Sequence, residues 1–403
     1  MRKTIEAPRF PTIFIILLLL PIPLLVYGTF WSGMAINDIS GPTLMSVDPS
    51  ENIYIIENGR LIISDPTGNL LHAYPLDSTY GIKEPLTDIY ATKEGNVIFG
   101  LRASNELREF VQQGGTPLIY KITPALNMLE DYGAYFHFSM LERDGTIYLT
   151  DSRDGSLKIY DSLGKQIRSI RTPSGNPPSQ TQVSGEEIVT LKQLYQNVTN
   201  QMPNLGKRMD ASFPFNWPNT VTIHGSELYV ADTNNFRIIR MDLGGQLQSI
   251  VQITPANNKY FGRITSFAVY GDRIFALFKN TLLAGGALMS IDTVEGKQQQ
   301  FNFGNDQNSS FDPSDVVATS SRVLVSDPDA YAIYEFTHAG SYVGLFGAES
   351  LKDELNKPRL MIHALKVTRY GSIALILVIL VALGFINNGY KRKQKEYHDK
   401  MAG

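Results

Sequence analysis

The 403-residue chain contains no cysteine, which removes disulfides, thiolate metal sites and cysteine nucleophiles from consideration. The chain has six histidines. His72 and His338 fall on or near the outer strands of a repeating β pattern, His224 falls in a turn, and His363 and His398 follow the last repeat. None stands at metal-ligand spacing from another. There is no Gly-x-Ser-x-Gly elbow and no phosphate loop. Asp151-Ser-Arg-Asp154 and Asp327-Pro-Asp329 have the composition of acidic calcium loops, but the same residues build hairpin turns. His137 and Asp315 are left, and their meaning depends on the elements that carry them.

Hydrophobic residues make up 43% of the chain and charged residues 19%, enough for a packed core. The net charge is −3, but it is segregated. Arg2, Lys3 and Arg9 against Glu6 precede the first apolar run. Lys391, Arg392, Lys393, Lys395 and Lys400 against Glu396 and Asp399 follow the last. These flanks together carry +5, which leaves −8 for the residues between them. So acidic a middle is a poor match for nucleic acid, whose phosphates require clustered Lys and Arg.

Thr12 to Phe30 is an uncharged run of about 19 residues, long enough to cross a hydrocarbon core of about 30 Å. Pro21 and Pro23 should kink it, and Trp31 stands where an interfacial aromatic belongs. The competing reading is a signal peptide cleaved at Gly33-Met34-Ala35. Gly371 to Ile386 is a second, shorter apolar run, extended by Tyr370 and Tyr390. Three basic residues precede the first run and none follows it until Arg60, so its N-terminal side is predicted to be cytoplasmic. The second run is ambiguous, because Lys357, Arg359, Lys366 and Arg369 precede it while five basic residues follow. The first run decides: both termini are predicted cytoplasmic, and residues of about 32–369 periplasmic or extracellular.

Between the two runs one pattern recurs. A short apolar run, a Gly/Asp turn, a second run, a polar loop, a run ending in Asp-x-x-Gly and a last short run follow in order. It is plainest in Asp144–Ile170 and His224–Val251, clear in Glu51–Tyr74, and weaker in Ser320–Phe346, Gly271–Phe303 and Glu94–Asp131. The apolar residues alternate with period two, so these are strands. Six units of four strands cannot bury both faces alone, and radial stacking solves that. The apolar run into Ala231-Asp232, then Asn234-Asn235, then Arg237-Ile238, closely resembles the NHL repeat. That resemblance covers about 41–346 and implies a closed six-bladed propeller; with the two apolar runs and the interruption at 171–211, the expected fold is an all-β, six-bladed NHL-type propeller flanked by N- and C-terminal transmembrane helices, with one helical insertion. The implied divisions are 1–11 as an N-terminal tail, 12–30 as a membrane helix and 41–346 as the propeller. A stalk over 347–369, a membrane helix over 370–388 and a basic tail over 389–403 follow.

Enzymes resembling this fold are metal-dependent lactonases and amidating lyases, which place ligands where the innermost strands open into a central channel. Counting from the proline or its equivalent before each innermost strand gives Leu44, Thr87, His137, Thr220, Ser266 and Asp315. Only His137 and Asp315 are good metal ligands. A zinc site takes about three protein ligands and a calcium site six to eight oxygens. The ring therefore predicts neither a metal nor another cofactor.

Two stretches interrupt the period. Leu101–Thr116 is predicted as an enlarged loop of the second unit. Arg171 to about Ala211 opens with a Pro/Ser-rich linker. Ser184-x-x-Glu187 is a capping box, and Ile188, Leu191, Tyr195, Val198 and Met202 follow at helical spacing. A helix over about 185–202 is expected, with Leu191, Tyr195, Val198 and Met202 as its docking stripe. By strand bookkeeping, both interruptions and the chain's entry and exit share one face of the disc, predicted to look towards the membrane. Asn197-Val-Thr199 and Asn308-Ser-Ser310 match the N-glycosylation pattern. The combined expectation is a membrane-anchored propeller that binds the bilayer and other membrane protein subunits, as a scaffold or accessory subunit and not an enzyme. A metal-dependent envelope hydrolase or lyase and an extracytoplasmic ligand sensor are the alternatives.

Overall fold

A computed structural model describes residues 11–402 except 38, 77–79, 83–85, 102–105, 112–117, 123–138, 153–154, 163–164, 174–211, 254–262, 280–285 and 302–310. Residues 40–356 form one compact unit, and the two terminal segments form another.

Isoleucine and leucine lead the apolar runs of the larger unit, followed by valine and tyrosine, and the β-branched and aromatic residues among them fit a pleated, buried surface. The first sheet comprises β1 (Pro42–Val47), β2 (Ile53–Glu57), β3 (Arg60–Ser64) and β4 (Leu70–Pro75). The second comprises β5 (Leu86–Ala91), β6 (Val97–Leu101), β7 (Glu106–Val111) and β8 (Leu118–Ile122). The third comprises β9 (Met140–Arg143), β10 (Thr146–Asp151), β11 (Ser156–Tyr160) and β12 (Gln166–Ile170). The fourth comprises β13 (Pro218–His224), β14 (Glu227–Asp232), β15 (Arg237–Asp242) and β16 (Leu247–Gln252). The fifth comprises β17 (Arg263–Tyr270), β18 (Arg273–Lys279), β19 (Gly286–Asp292) and β20 (Gln298–Gln300). The sixth comprises β21 (Asp315–Ala318), β22 (Val323–Asp327), β23 (Ala332–Phe336) and β24 (Tyr342–Leu345). Each sheet is an antiparallel meander in chain order.

The first strand of every sheet lies beside the first strands of its two neighbours, and β21 returns to β1, so the sheets close into a propeller. Cores form between successive sheets. Tyr54, Ile56, Leu61 and Ile63 of the first pack on Ile89, Val97 and Phe99 of the second. Phe275, Leu277 and Leu288 of the fifth pack on Val316, Val323 and Phe336 of the sixth. Each such side chain contributes about 1.5–3 kcal/mol by burial. Neither terminus lends a strand to the opposite sheet. The seam between sixth and first sheets closes through Gly41 N–H donating to Pro328 O at 3.1 Å, and Ala348 N–H to Gly68 O at 2.9 Å. At Gly68, with φ +84°, a Cβ would stand 2.5 Å from Gly347 Cα, so only glycine admits this approach.

One sequence expectation is corrected here. Residues 101–116 are not simply an enlarged loop, because Glu106–Val111 is the third strand and pairs with both Val97–Leu101 and Leu118–Ile122. Leu118–Ile122 is accordingly the fourth strand. The helix expected over 185–202 lies outside the described residues.

In the second unit, α1 (Thr12–Leu19) and α2 (Ile22–Asn37) are separated at Pro21, which has no N–H to continue the first helix. The third helix, α3 (Glu349–Ala402), is continuous through Pro358, so stalk, apolar run and basic tail are one helix. Ile15–Met34 and α3 are both long and apolar enough to cross a membrane, with mean hydropathy of 2.0 and 2.3 in their most apolar windows and only 6% of each window buried. The two helices run antiparallel. A Cβ at Gly28 would lie 3.9 Å from Ser372 Oγ, and one at Gly33 would lie 3.5 Å from Arg369 Cζ. Their hydroxyls bond back to their own helices, Thr29 Oγ1 to Leu25 O at 2.8 Å and Ser32 Oγ to Thr29 O at 3.1 Å. Both hydroxyls are thereby satisfied within α2 itself.

Candidate functional site: the central channel

The six innermost strands line a cavity of about 1260 Å³. A shared irregularity sets which side chains face it. In β1, β5, β13 and β17 the register with the second strand slips by one residue, at Thr43, Thr87, Asn219 and Thr265. Such a bulge adds a residue and re-aims the next side chain. Three of the extra residues are threonines, and each hydroxyl donates to a second-strand carbonyl: Thr43 to Ile56, Thr87 to Gly100 and Thr265 to Leu277. The positions following the bulge, matched through their second-strand partners, are Leu44, Asp88, Ser139, Thr220, Ser266 and Asp315.

This ring differs from the one expected from sequence at two places. Asp88 replaces Thr87, which is the bulge residue, and Ser139 holds the third position. His137 lies outside the described residues, as do Leu191, Tyr195, Val198 and Met202. The sequence carried a signal for Asp88: Asp88-Ile-Tyr-Ala-Thr92 repeats the pattern of Asp315-Val-Val-Ala-Thr319.

The ring residues form a circumferential belt of hydrogen bonds. Asp315 Oδ2 accepts from Met45 N–H at 2.6 Å, crossing the closing seam, and Oδ1 accepts from Ser266 Oγ and from Val316 N–H. Asp88 is built alike: Oδ2 accepts from Ser139 Oγ at 2.7 Å and Met140 N–H at 2.9 Å, and Oδ1 from Ile89 N–H at 2.9 Å. Ser139 Oγ accepts from Val221 N–H, and Thr220 Oγ1 donates to Thr265 O. Leu44 cannot take part, and Ser46 Oγ instead accepts from Ala91 N–H at 2.9 Å. Every sheet is thereby tied to the next. In three cases the ring side chain takes the amide one residue beyond the neighbour's ring position, as Asp315 takes Met45, Asp88 takes Met140 and Ser139 takes Val221.

Both carboxylates lie deep in the fold, although Asp88 keeps some solvent contact through the channel. Desolvation outweighs their three donors and pushes Asp88 up to about 7 and Asp315 up to about 6. The charge of Asp315 adds to the rise at Asp88. Paired raised carboxyls in a cavity are a common mark of a functional site. Here the geometry also explains them as clasps between sheets. Asp315, expected as one of two metal candidates, has both oxygens engaged. Among the described residues no group of three His, Asp or Glu side chains could hold a metal ion.

At one mouth of the cavity, Tyr270 stacks on His338 with ring centroids 4.9 Å apart and meets His224 at 6.0 Å. His224 Nε2 accepts from Gly271 N–H at 3.1 Å. His338 Nε2 lies 2.9 Å from Thr319 O, so it carries the proton. His72 stacks on Tyr74. The repeat signature is structural as well. Asp232 and Arg237 form a fully buried ion pair at 2.7 Å, to which Asn235 Nδ2 and Asn216 N–H also donate. The acidic stretch at 327–329 is a turn, Asp327 Oδ1 accepting the amides of Asp329 and Ala330.

No protein-family model and no curated protein matches the sequence, so the NHL resemblance rests on the residues quoted above. Among solved structures, an inactive variant of virginiamycin B lyase from Staphylococcus aureus, with quinupristin, is similar at 15% identity. Its TM-score is 0.45, over 78% of this chain and 87% of that one. A nidogen/laminin complex is similar at 10% identity and TM-score 0.45, over 78% and 94%. Hydrazine synthase from Kuenenia stuttgartiensis is similar at 12% identity and TM-score 0.43, over 74% and 77%. Likenesses this remote carry no argument about activity.

Proposed function

We propose that this chain is a membrane-anchored, extracytoplasmic propeller that binds protein partners as a scaffold or accessory subunit of a membrane complex. The observation that carries the reading is the exposed apolar surface of two antiparallel helices, each with 6% of its most apolar window buried. Surface of that extent calls for lipid or a protein partner. The channel supports binding over catalysis, because Asp88 and Asp315 already accept three donors each and hold the sheets together. The docking element in this reading is the insertion at 171–211, through Leu191, Tyr195, Val198 and Met202, whose spacing places them on one stripe of a helix.

The test is photo-crosslinking in membranes from Gln193 or Gln196, compared with Gly225 in the turn between β13 and β14. Adducts to a membrane protein from Gln193 or Gln196, retained through mild detergent extraction, are the expected result. Adducts from Gly225 alone would move the docking surface to the other face. A purified chain without partners that turns over a lactone or amide substrate would favour the enzyme.

A further inference from the structure

Four basic residues precede the second apolar run, on the side where the distribution of charges disfavours them, and the proposed function leaves them unused. The structure gives them an arrangement. In α3, Leu355, Pro358 and Leu365 are buried while Arg359, His363, Lys366 and Arg369 are exposed. The steps of four, three and three put the exposed set on one stripe of the helix. Arg369 also lies across the N-terminal helix beside Gly33. No acidic residue occurs between Glu354 and Glu396, so nothing along this length of helix neutralises the stripe.

We infer that the lower end of this stripe, Lys366 and Arg369, binds the anionic headgroups of phospholipids in the leaflet nearer residue 357. The inference rests on the membrane reading proposed above. Charge complementarity and continuity with the apolar run select lipid as the occupant. At 1.5 Å per residue Arg369 sits about 1.5 Å and Lys366 about 6 Å from Tyr370, where the run begins. Arg359 sits about 16 Å away. A headgroup layer of about 5–8 Å takes in the first two cations and not the last. The stripe is thus graded by depth, which an acidic protein partner lying along it would not reproduce. Each cation within reach of an anionic surface strengthens association by about fivefold.

Trp31, exposed and two residues from the Gly33–Arg369 contact, is a native reporter. The full chain carrying Trp217→Phe would be reconstituted in vesicles containing brominated phosphatidylglycerol or brominated phosphatidylcholine, and Trp31 quenching measured. We expect the relative binding constant for phosphatidylglycerol to be about fivefold or more, and to fall towards one in Lys366→Gln/Arg369→Gln. Lys357→Gln/Arg359→Gln should retain it. Equal quenching by the two lipids in the parent chain overturns the inference and leaves the membrane reading standing. Equal loss in both double variants also overturns it and points to a partner along the whole stripe. No quenching by either lipid defeats the membrane reading itself, and this inference with it.

Discussion

Asp88 and Asp315 show how a single side chain can serve as both clasp and liability. Each accepts three donors, yet each has its pKa raised by burial, to about 7 and about 6. A carboxyl whose folded-state pKa exceeds its unfolded value near 4 binds more protons in the fold. Its contribution is therefore fully present below about pH 4 and is lost as pH rises through 6 to 7. The loss is of order 3 kcal/mol for each aspartate. Asp88→Asn and Asp315→Asn should each flatten the pH dependence of the unfolding midpoint between pH 4 and 7, relative to the parent chain. An unchanged slope in both variants would show that these carboxyls do not titrate in that window. Counting two residues on from the proline finds Asp315 after Pro313, as it finds Leu44 after Pro42 and Thr220 after Pro218. In the second sheet the proline, Pro85, stands one residue before the matching strand position, Leu86, so the same count stops at the bulge residue Thr87, and only the likeness of Asp88-Ile-Tyr-Ala-Thr92 to Asp315-Val-Val-Ala-Thr319 marks Asp88.

At the scale of elements, the start of α3 is fastened by chemistry that the helix itself leaves open. Pro358 has no N–H, so the carbonyl of Glu354 loses its partner within the helix. Arg60 Nη2 donates to that carbonyl at 3.3 Å, and its guanidinium also pairs with the carboxylates of Glu354 and buried Glu57. Leu351 and Leu355 pack below, on Ile53, Ile62 and Phe346 at the closing seam. Arg60→Ala should cost about 3 kcal/mol by leaving a buried carboxylate without its cation. Pro358→Ala returns an amide to the carbonyl, so in that background the cost should fall by about 1 kcal/mol. Strict additivity in a double-mutant cycle of chemical unfolding would remove Arg60 from this role. The strand meanders were readable wherever a Gly/Asp turn marked each reversal, as in 144–170 and 224–251. Glu106–Val111 was missed because its charged sequence, Glu-Leu-Arg-Glu-Phe-Val, looks like a loop and no such turn precedes it. Its pairing with Val97–Leu101 makes it a strand.

The whole molecule divides its work between a propeller closed by side chains and two helical segments that each carry an exposed apolar run. The apolar runs were plain in the sequence from length and composition, whereas their antiparallel contact at Gly28 and Gly33 depends on tertiary packing that no local pattern encodes. An antiparallel pair that crosses a bilayer must leave both chain ends on one side and the propeller on the other. The absence of cysteine makes the most direct measurement a clean one. Single cysteines would be placed at Thr4, Ser226 and Ala402, and labelled in intact, sealed cells with a membrane-impermeant maleimide. The account predicts labelling at Ser226 from outside, and at Thr4 and Ala402 only after the membrane is opened. Labelling of all three positions before opening, or of Thr4 and Ala402 from opposite sides, would contradict it.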